Sequence, residues 1–208
     1  VYIKKVTQEI KAAGFEAYIV GGCVRDILME KIPNDWDITT NARPEEIMSI
    51  FSDARYENDF GTILLPIRKT ASLKQDKGDV LDVVEITTYR SEQGYSDRRH
   101  PDAIVFEKQI DKDLERRDFT INALALDPEK PEEIIDLFGG RKDLKLKIIR
   151  AVGEPVDRFK EDALRMLRAI RFHSQLGFEL EPKTQRAIVK LAGSLKFVSK
   201  ERIRDEFI

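Results

Sequence analysis

The sequence predicts an α+β protein, a mixed β-sheet with flanking helices followed by a segment that is all helix. Three observations carry this expectation. Short runs of branched and aromatic residues alternate with helical patterns through the first two thirds of the chain. Beyond "FGGRKDL" strand signals become rare, and from Pro155 onward helical periodicity takes over. The length of 208 residues, with 41% hydrophobic and 36% charged, is ample for a packed core. A boundary near 140–150 gives two domains, 1–140 and 141–208.

In chain order, Ile3, Val6 and Ile10 follow helical spacing, and Gly14 stops the helix. "EAYIV" is a strand, Gly21-Gly22 turns the chain into the short helix "CVRDILME", and "DWDITT" is a second strand. Pro44 at a first helical position opens "PEEIMSIF". "TILLPI" and "DVLDVVEITTY" are strands joined by a polar connection, Arg68 to Gly78, expected as an exposed hairpin tip. "AIVFEK" is a strand, "DKDLERRD" a short helix, and "NALALD" with "EIIDLF" a hairpin across "PEKPEE". Phe159, Ala163, Met166 and Ile170 then form one apolar stripe on a long helix that Gly177 ends. Pro182 starts another helix, and Ser199 caps the last.

Composition excludes several classes. No apolar run approaches the ~20 residues that cross a bilayer, so no membrane partner is expected. The single cysteine, Cys23, rules out an internal disulfide framework and agrees with a cytoplasmic setting. His100 and His173 lie far apart, which argues against zinc. Net charge is −2, but from Arg141 onward it is +7 and before that −9. An acidic first part and a basic last part suit a metal-holding region joined to a polyanion-binding one, and also suit chance variation in a charged chain. The chain begins at Val1 and ends at Ile208 within the helical pattern "SKERIRDEFI", which leads to the expectation of a piece of a longer protein. Its oligomeric state is not legible.

The chemistry begins at "DWDITT". Alternate strand residues share a face, so Asp35 and Asp37 point the same way with α-carbons ~7 Å apart, and Trp36 points into packing. Two such carboxylates repel unless a cation lies between them, and hard oxygen ligands suit Mg²⁺ with substrate phosphates. A bare Asp-x-Asp is equally the signature of two solvated side chains at a strand end. The difference lies upstream. Gly21-Gly22 lets backbone approach a ligand, the following helix offers N–H groups to an anion, and Arg25 adds a fixed charge. The aspartates then hold metal, and the glycines hold the triphosphate bound to it.

The stretches "GGCVRD…DWDI", "VEITTYR", "ERRDFTINALAL", "DLFGGRKDL", "RFKEDALRMLRAIRF" and "SKERI" resemble, in order and spacing, the class II tRNA nucleotidyltransferases. These are the CCA-adding enzymes, with bacterial poly(A) polymerases as close relatives. The resemblance implies a nucleotidyltransferase-type catalytic head (1–140) and a helical neck that recognises the base (141–208), without the family's body and tail. It implies Mg²⁺-dependent addition of C and A to the tRNA 3′ end from CTP and ATP, with pyrophosphate released. Asp35 and Asp37 fall on the metal ligands and Glu85 on a third catalytic carboxylate, for which Asp82 is a rival on the same strand. Arg117, Asp118 and Asn122 fall on a ribose-sensing motif, where Asp118 is equally readable as a helix cap. Asp162 and Arg165 fall on the pair that reads the Watson–Crick edge of the incoming nucleotide, supported by Arg168 and Arg171. The same three-residue spacing describes a solvated, ion-paired helix face.

"YRSEQGYSDRRHP" matches the family's flexible loop, with Arg90, Gly94, Asp97, Arg98 and Arg99, and favours full CCA addition. Two features depart from the family. Glu30 stands where relatives often carry Gly, and the Arg68–Gly78 connection is longer. The alternatives are an A-adding enzyme or poly(A) polymerase of the same family, or an NTP- or RNA-binding fragment without turnover.

Overall fold

The structure is a computed structural model and describes residues 2–58, 61–68, 80–95 and 102–207. Its elements are α1 (Tyr2–Ala12), β1 (Ala17–Val20), α2 (Gly22–Leu28), β2 (Trp36–Thr40), α3 (Pro44–Ile50), β3 (Arg55–Asn58), β4 (Thr62–Arg68) and β5 (Val80–Thr88). There follow β6 (Arg90–Gln93), β7 (Ala103–Phe106), α4 (Ile110–Glu115), β8 (Leu124–Leu126), β9 (Ile134–Asp136), α5 (Gly140–Leu146) and β10 (Ile148–Ile149). The last are α6 (Pro155–Glu161), α7 (Leu164–Leu176), β11 (Glu179–Leu180), α8 (Pro182–Leu191) and α9 (Lys200–Phe207). The chain divides into two compact units. Unit 1 is Val1–Arg90, Phe106–Lys112 and Ala125–Ile135, and unit 2 is Ser91–Val105, Asp113–Leu124 and Asp136–Ile208.

Unit 1 is built on a mixed sheet of order β3-β4-β5-β2-β1-β8-β9. β1 pairs antiparallel with β2 and β8, while β2 pairs parallel with β5, which is antiparallel to β4. Ile19, Ile38, Ile63, Val84 and Ile86 are buried along the central strands, and α1 buries Ile3, Val6 and Ile10, the stripe expected from spacing. Gly14 follows α1 at φ 93°, a conformation open mainly to glycine. Pro44 occupies the first turn of α3, where its missing N–H is no loss. The β8–β9 hairpin forms as expected, whereas β3 carries no strand signal in its own sequence. Residues 69–78 of the long connection lie outside the described residues.

Glu30 closes α2. Lys31 N–H donates to the Asp26 carbonyl at 2.8 Å and Glu30 N–H to that of Ile27 at 3.0 Å, the paired bonds of a Schellman ending. That ending places Glu30 at φ 58°, where glycine carries no side-chain penalty.

Unit 2 is mainly helical, with two small strand pairs, β6–β7 and the parallel β10–β11. The long helix expected over Phe159–Leu176 is two helices. Asp162 ends α6 at φ −142°, and its carboxylate accepts from Leu164 N–H at 3.0 Å, starting α7. Phe159, Ala163 and Met166 are buried, but Ile170 is 38% exposed, and Leu167 and Phe172 take up the burial instead. Gly177 ends α7 at φ 66°. Ser199 Oγ accepts from Arg202 N–H at 3.4 Å at the start of α9.

In "DLFGGRKDL", the Asp136 carboxylate accepts from Gly140 N–H at 2.7 Å and Arg141 N–H at 3.0 Å, capping α5. Gly140 lies so close to the turn at 120–122 that a Cβ would run into the Thr120 carbonyl oxygen. Asp143, 3% exposed, accepts from Thr120 Oγ1 at 2.7 Å and Arg150 Nε at 2.9 Å, tying α5 to that turn.

Glu30→Gly is expected to raise stability by roughly 0.5–1 kcal/mol through relief of the left-handed backbone. Gly140→Ala is expected to lower it by about 1–3 kcal/mol, as overpacking against backbone does. Urea denaturation of the two variants beside the parent measures both.

Candidate functional site

In unit 1 the site residues meet at one end of three neighbouring strands. The parallel register sets Asp37 directly against Glu85, residues separated by nearly fifty positions in sequence. Asp35 lies exposed just before β2. Trp36, on the alternate face, packs edge-to-face on Tyr2 with ring centroids 6.4 Å apart. Asp82 is on that same alternate face and accepts from the Tyr2 hydroxyl, whereas Glu85 shares the face of Asp37.

β1 ends beside the start of β2. Gly21 there adopts φ 83°, ψ −138°, and Gly22 opens α2. The Arg25 guanidinium lies over Gly22, with its Nη2 3.5 Å from where a Cβ would stand, and is held by Asp26 at 2.8 Å. The absent side chain leaves backbone and guanidinium presented together.

Glu85 reports the electrostatics. Loss of hydration, then the charges of Asp37, Glu57 and Asp35, push its carboxyl up to about 7. The donor set is all hard oxygen, which fits Mg²⁺. Among the described residues no three acidic, His or Cys side chains converge on one point. Mg²⁺ is commonly held by one or two carboxylates, with water and substrate phosphate oxygens completing its shell.

In unit 2, Asp118 is 9% exposed and saturated. Its Oδ1 accepts from Phe119 N–H at 2.8 Å and Asn122 Nδ2 at 3.3 Å, and its Oδ2 from Arg168 Nε at 2.7 Å. Burial alone would raise this carboxyl, but Arg168, Arg165 and the Phe119 N–H together outweigh burial and hold it below the usual range. Arg117 reaches Asp113 at 3.3 Å, and its buried Nε has no hydrogen-bond partner among the described residues. Arg171 meets Glu206 at 2.6 Å and lies over the Phe172 ring at 4.9 Å.

The two expected base readers have separate partners. Asp162 is gripped by both Arg202 terminal nitrogens at 3.2 and 2.8 Å. Arg165 is held by Glu161 at 2.5 Å and by the Arg116 carbonyl at 3.1 Å. Asp118, Asn122 and Arg168 form one cluster, which Glu206 extends to Arg171 through an Arg168 contact at 4.0 Å. Arg202, Glu206, Glu161 and Asp113 were not singled out from sequence. The i, i+4 spacing of Glu161 with Arg165 and of Asp113 with Arg117 is the available signal, whereas Arg202 and Glu206 pair with residues far away in sequence. Asp97, Arg98 and Arg99 lie outside the described residues.

Residues 17–150 match the family described as "Poly A polymerase head domain", and residues 177–208 match "Probable RNA and SrmB- binding site of polymerase A". The chain is 48% identical over 204 residues to a CCA-adding enzyme of Lactobacillus delbrueckii subsp. bulgaricus, covering 98% of this chain and 48% of that protein. It is 50% identical over 206 residues to one of Enterococcus faecalis, covering 98% and 47%. Among solved structures, a Bacillus stearothermophilus CCA-adding enzyme in complex with CTP superposes with TM-score 0.83 at 40% identity, covering 99% of this chain and 46% of that one. A tRNA nucleotidyltransferase complexed with a primer tRNA and an incoming ATP analog gives TM-score 0.74 at 33% identity, covering 97% and 54%. The chain thus spans about half the length of the curated relatives it matches.

The Glu85 electrostatics are open to measurement. A carboxyl raised to about 7 favours the folded state below the unfolded value near 4.5, and this advantage is lost as pH rises through 7. With divalent cations chelated, Glu85→Gln is expected to be more stable than the parent at pH 8, by about 1 kcal/mol after solvent screening. The two should converge near pH 5, as thermal denaturation at the two pH values will show.

Proposed function

The chain belongs to the poly A polymerase head domain family, and on that premise we propose that it is the catalytic part of a template-independent RNA nucleotidyltransferase. The reaction is attack of an RNA 3′-hydroxyl on the α-phosphorus of CTP or ATP. The new O–P bond forms as the bond to the departing pyrophosphate breaks, and repetition builds C-C-A on a tRNA. The observation that carries this reading is the Asp37–Glu85 register with Asp35 beside it, next to the Gly21–Gly22 bend. The names of the relatives, and the CTP and primer tRNA in the neighbouring structures, support the substrate class.

The roles follow from the chemistry. Asp35 and Asp37 would hold Mg²⁺, which when bound neutralises phosphate oxygens and lowers the pKa of the attacking hydroxyl. Glu85, opposite Asp37 across the β2–β5 register, is the group placed to take the hydroxyl proton. Gly21, Gly22 and Arg25 receive the triphosphate through backbone N–H groups and a fixed guanidinium. Arg117, with its buried Nε lacking a partner, offers a donor to phosphate or sugar. Asn122 faces the ribose hydroxyls, with Asp118 orienting it and Arg168.

Asp162 accepts from the exocyclic amine of cytosine or adenine, its plane fixed by Arg202, and Arg165 donates to the ring edge. Arg168 and Arg171 fix the surrounding charges. Residues 1–140 serve as catalytic head and 141–208 as neck. A cytoplasmic site of action goes with the tRNA substrate, and no helix among the described residues is long and apolar enough to cross a membrane.

Extension of a tRNA ending at its discriminator base, with each NTP singly and together, tests the proposal. CTP alone is expected to add C, and CTP with ATP to complete CCA. Asp35→Ala or Asp37→Ala should reduce the rate at least about 10³-fold with CTP binding retained in metal-free buffer. Incorporation of A without C would indicate the A-adding or poly(A) reading. CTP binding without extension of any RNA would indicate a binding fragment.

A further inference from the structure

In unit 2 the single helical turn Thr120–Asn122 has two sides. Residues two apart in so tight a turn point in different directions, and Thr120 and Asn122 do so. The Asn122 amide donates to Asp118 at 3.3 Å, while the Thr120 hydroxyl donates to Asp143 at 2.7 Å. The front of the turn thus carries Asp118 and Asn122 with Arg168, the ribose-facing set. Its back is a polar clamp. Thr120 and Asp143 are buried, and Asp143 also accepts from Arg150 Nε at 2.9 Å and Nη2 at 3.3 Å. Arg150 holds the turn a second time, its carbonyl accepting from Thr120 N–H at 2.9 Å. Val152 N–H donates to the Asp118 carbonyl at 3.0 Å, and Phe119 bridges antiparallel to Ala151 between these bonds.

We propose that Thr120, Asp143 and Arg150 are positioning residues for sugar selection. Their clamp holds the turn where Asp118 and Asn122 meet the 2′-hydroxyl of an incoming ribonucleotide, so that a deoxyribonucleotide binds poorly. The inference rests on the nucleotidyltransferase reading and names residues that decide its selectivity without touching the substrate.

Energetics separate this role from plain support. A buried carboxylate paired with an arginine adds little net stability, and apolar residues of similar volume often hold a fold as well or better. A satisfied buried polar network supplies one defined geometry instead, because each donor and acceptor has a single place to go. The turn has little definition of its own, with only Asn122 N–H to the Phe119 carbonyl and Ala123 N–H to that of Thr120 inside it. From the other side α5 presses Gly140 against the Thr120 carbonyl. Ribose and deoxyribose differ by a single hydroxyl, and a partner that tells them apart must be placed to about 0.5 Å. The clamp reaches further, since Arg150 meets Glu181 at 3.5 Å and Glu181 caps α8 at Thr184 N–H.

Equilibrium binding of CTP and of 2′-deoxyCTP, with divalent cations chelated, tests the clamp without requiring turnover. The parent is expected to bind CTP about tenfold more tightly, the effect of one well-placed hydrogen bond. Thr120→Val exchanges the hydroxyl for a methyl of similar size and is expected to bring the two Kd values within about twofold. Asp143→Ala should do the same, and Thr120→Val decides the matter if Asp143→Ala does not fold. Thr120→Ser keeps the hydroxyl and should keep the preference. So should Ile10→Val, a truncation in the α1 core of unit 1 that lowers stability without altering the clamp's own groups. A folded Thr120→Val with the parent's preference overturns the proposal, as does loss of the preference in Thr120→Ser or Ile10→Val, or a parent that has none. A preference lost in Thr120→Val from a parent that extends no RNA upholds the clamp and refutes the activity.

Discussion

The structure of the site depends on one register, that of β2 against β5. Parallel pairing sets Asp37 opposite Glu85, and the apolar residues fix it. Ile38 and Ile86 are fully buried, as is Val84, and they alternate with the acidic positions. A slip of one residue would send isoleucines to the acidic face and carboxylates into the core, at several kcal/mol per buried charge. The core therefore enforces a carboxylate cluster that electrostatics alone would separate. Loss of hydration and the neighbouring carboxylates raise the Glu85 carboxyl, and a proton or a cation offsets their repulsion.

Much of this was legible because local chemistry and global placement agree. Gly14, Pro44, Gly177 and Ser199 each punctuate the chain where their backbone preferences dictate. Glu85 is placed with the aspartates by the family resemblance rather than by its own strand pattern, and the parallel register sets it opposite Asp37. β3 was not legible. "RYEN" has no apolar alternation and becomes a strand by pairing with β4.

The stretch from Phe159 to Leu176 shows how periodicity can mislead. Asp162, Arg165, Arg168 and Arg171 are evenly spaced, and a continuous helix is the natural expectation. A short acidic side chain can instead satisfy backbone N–H groups at a helix start, an option open to Asp that helix-favouring residues lack. Asp162 takes it, and the chain breaks there. The break shifts the buried face from Ile170 to Leu167 and Phe172 and frees Asp162 to meet Arg202 forty residues later. Pairings of that separation leave no mark in a pattern read along the chain.

The same pairings change what the basic surplus of the last third means. Arg150, Arg165, Arg168, Arg171 and Arg202 are each committed to a carboxylate, those of Asp143, Glu161, Asp118, Glu206 and Asp162. Such arginines contribute little long-range attraction, because each sits in a nearly neutral pair. Their value is geometric, since a guanidinium fixed by a carboxylate presents its remaining N–H groups without further loss of rotamer freedom. Attraction for a polyanion falls instead to exposed cations such as Lys183, Arg186 and Lys190, spaced along α8 at i, i+3 and i+7 on one face. Charge in unit 2 is thus divided by residue, with paired arginines suited to recognition and solvated cations on α8 suited to a salt-sensitive hold on phosphate backbone.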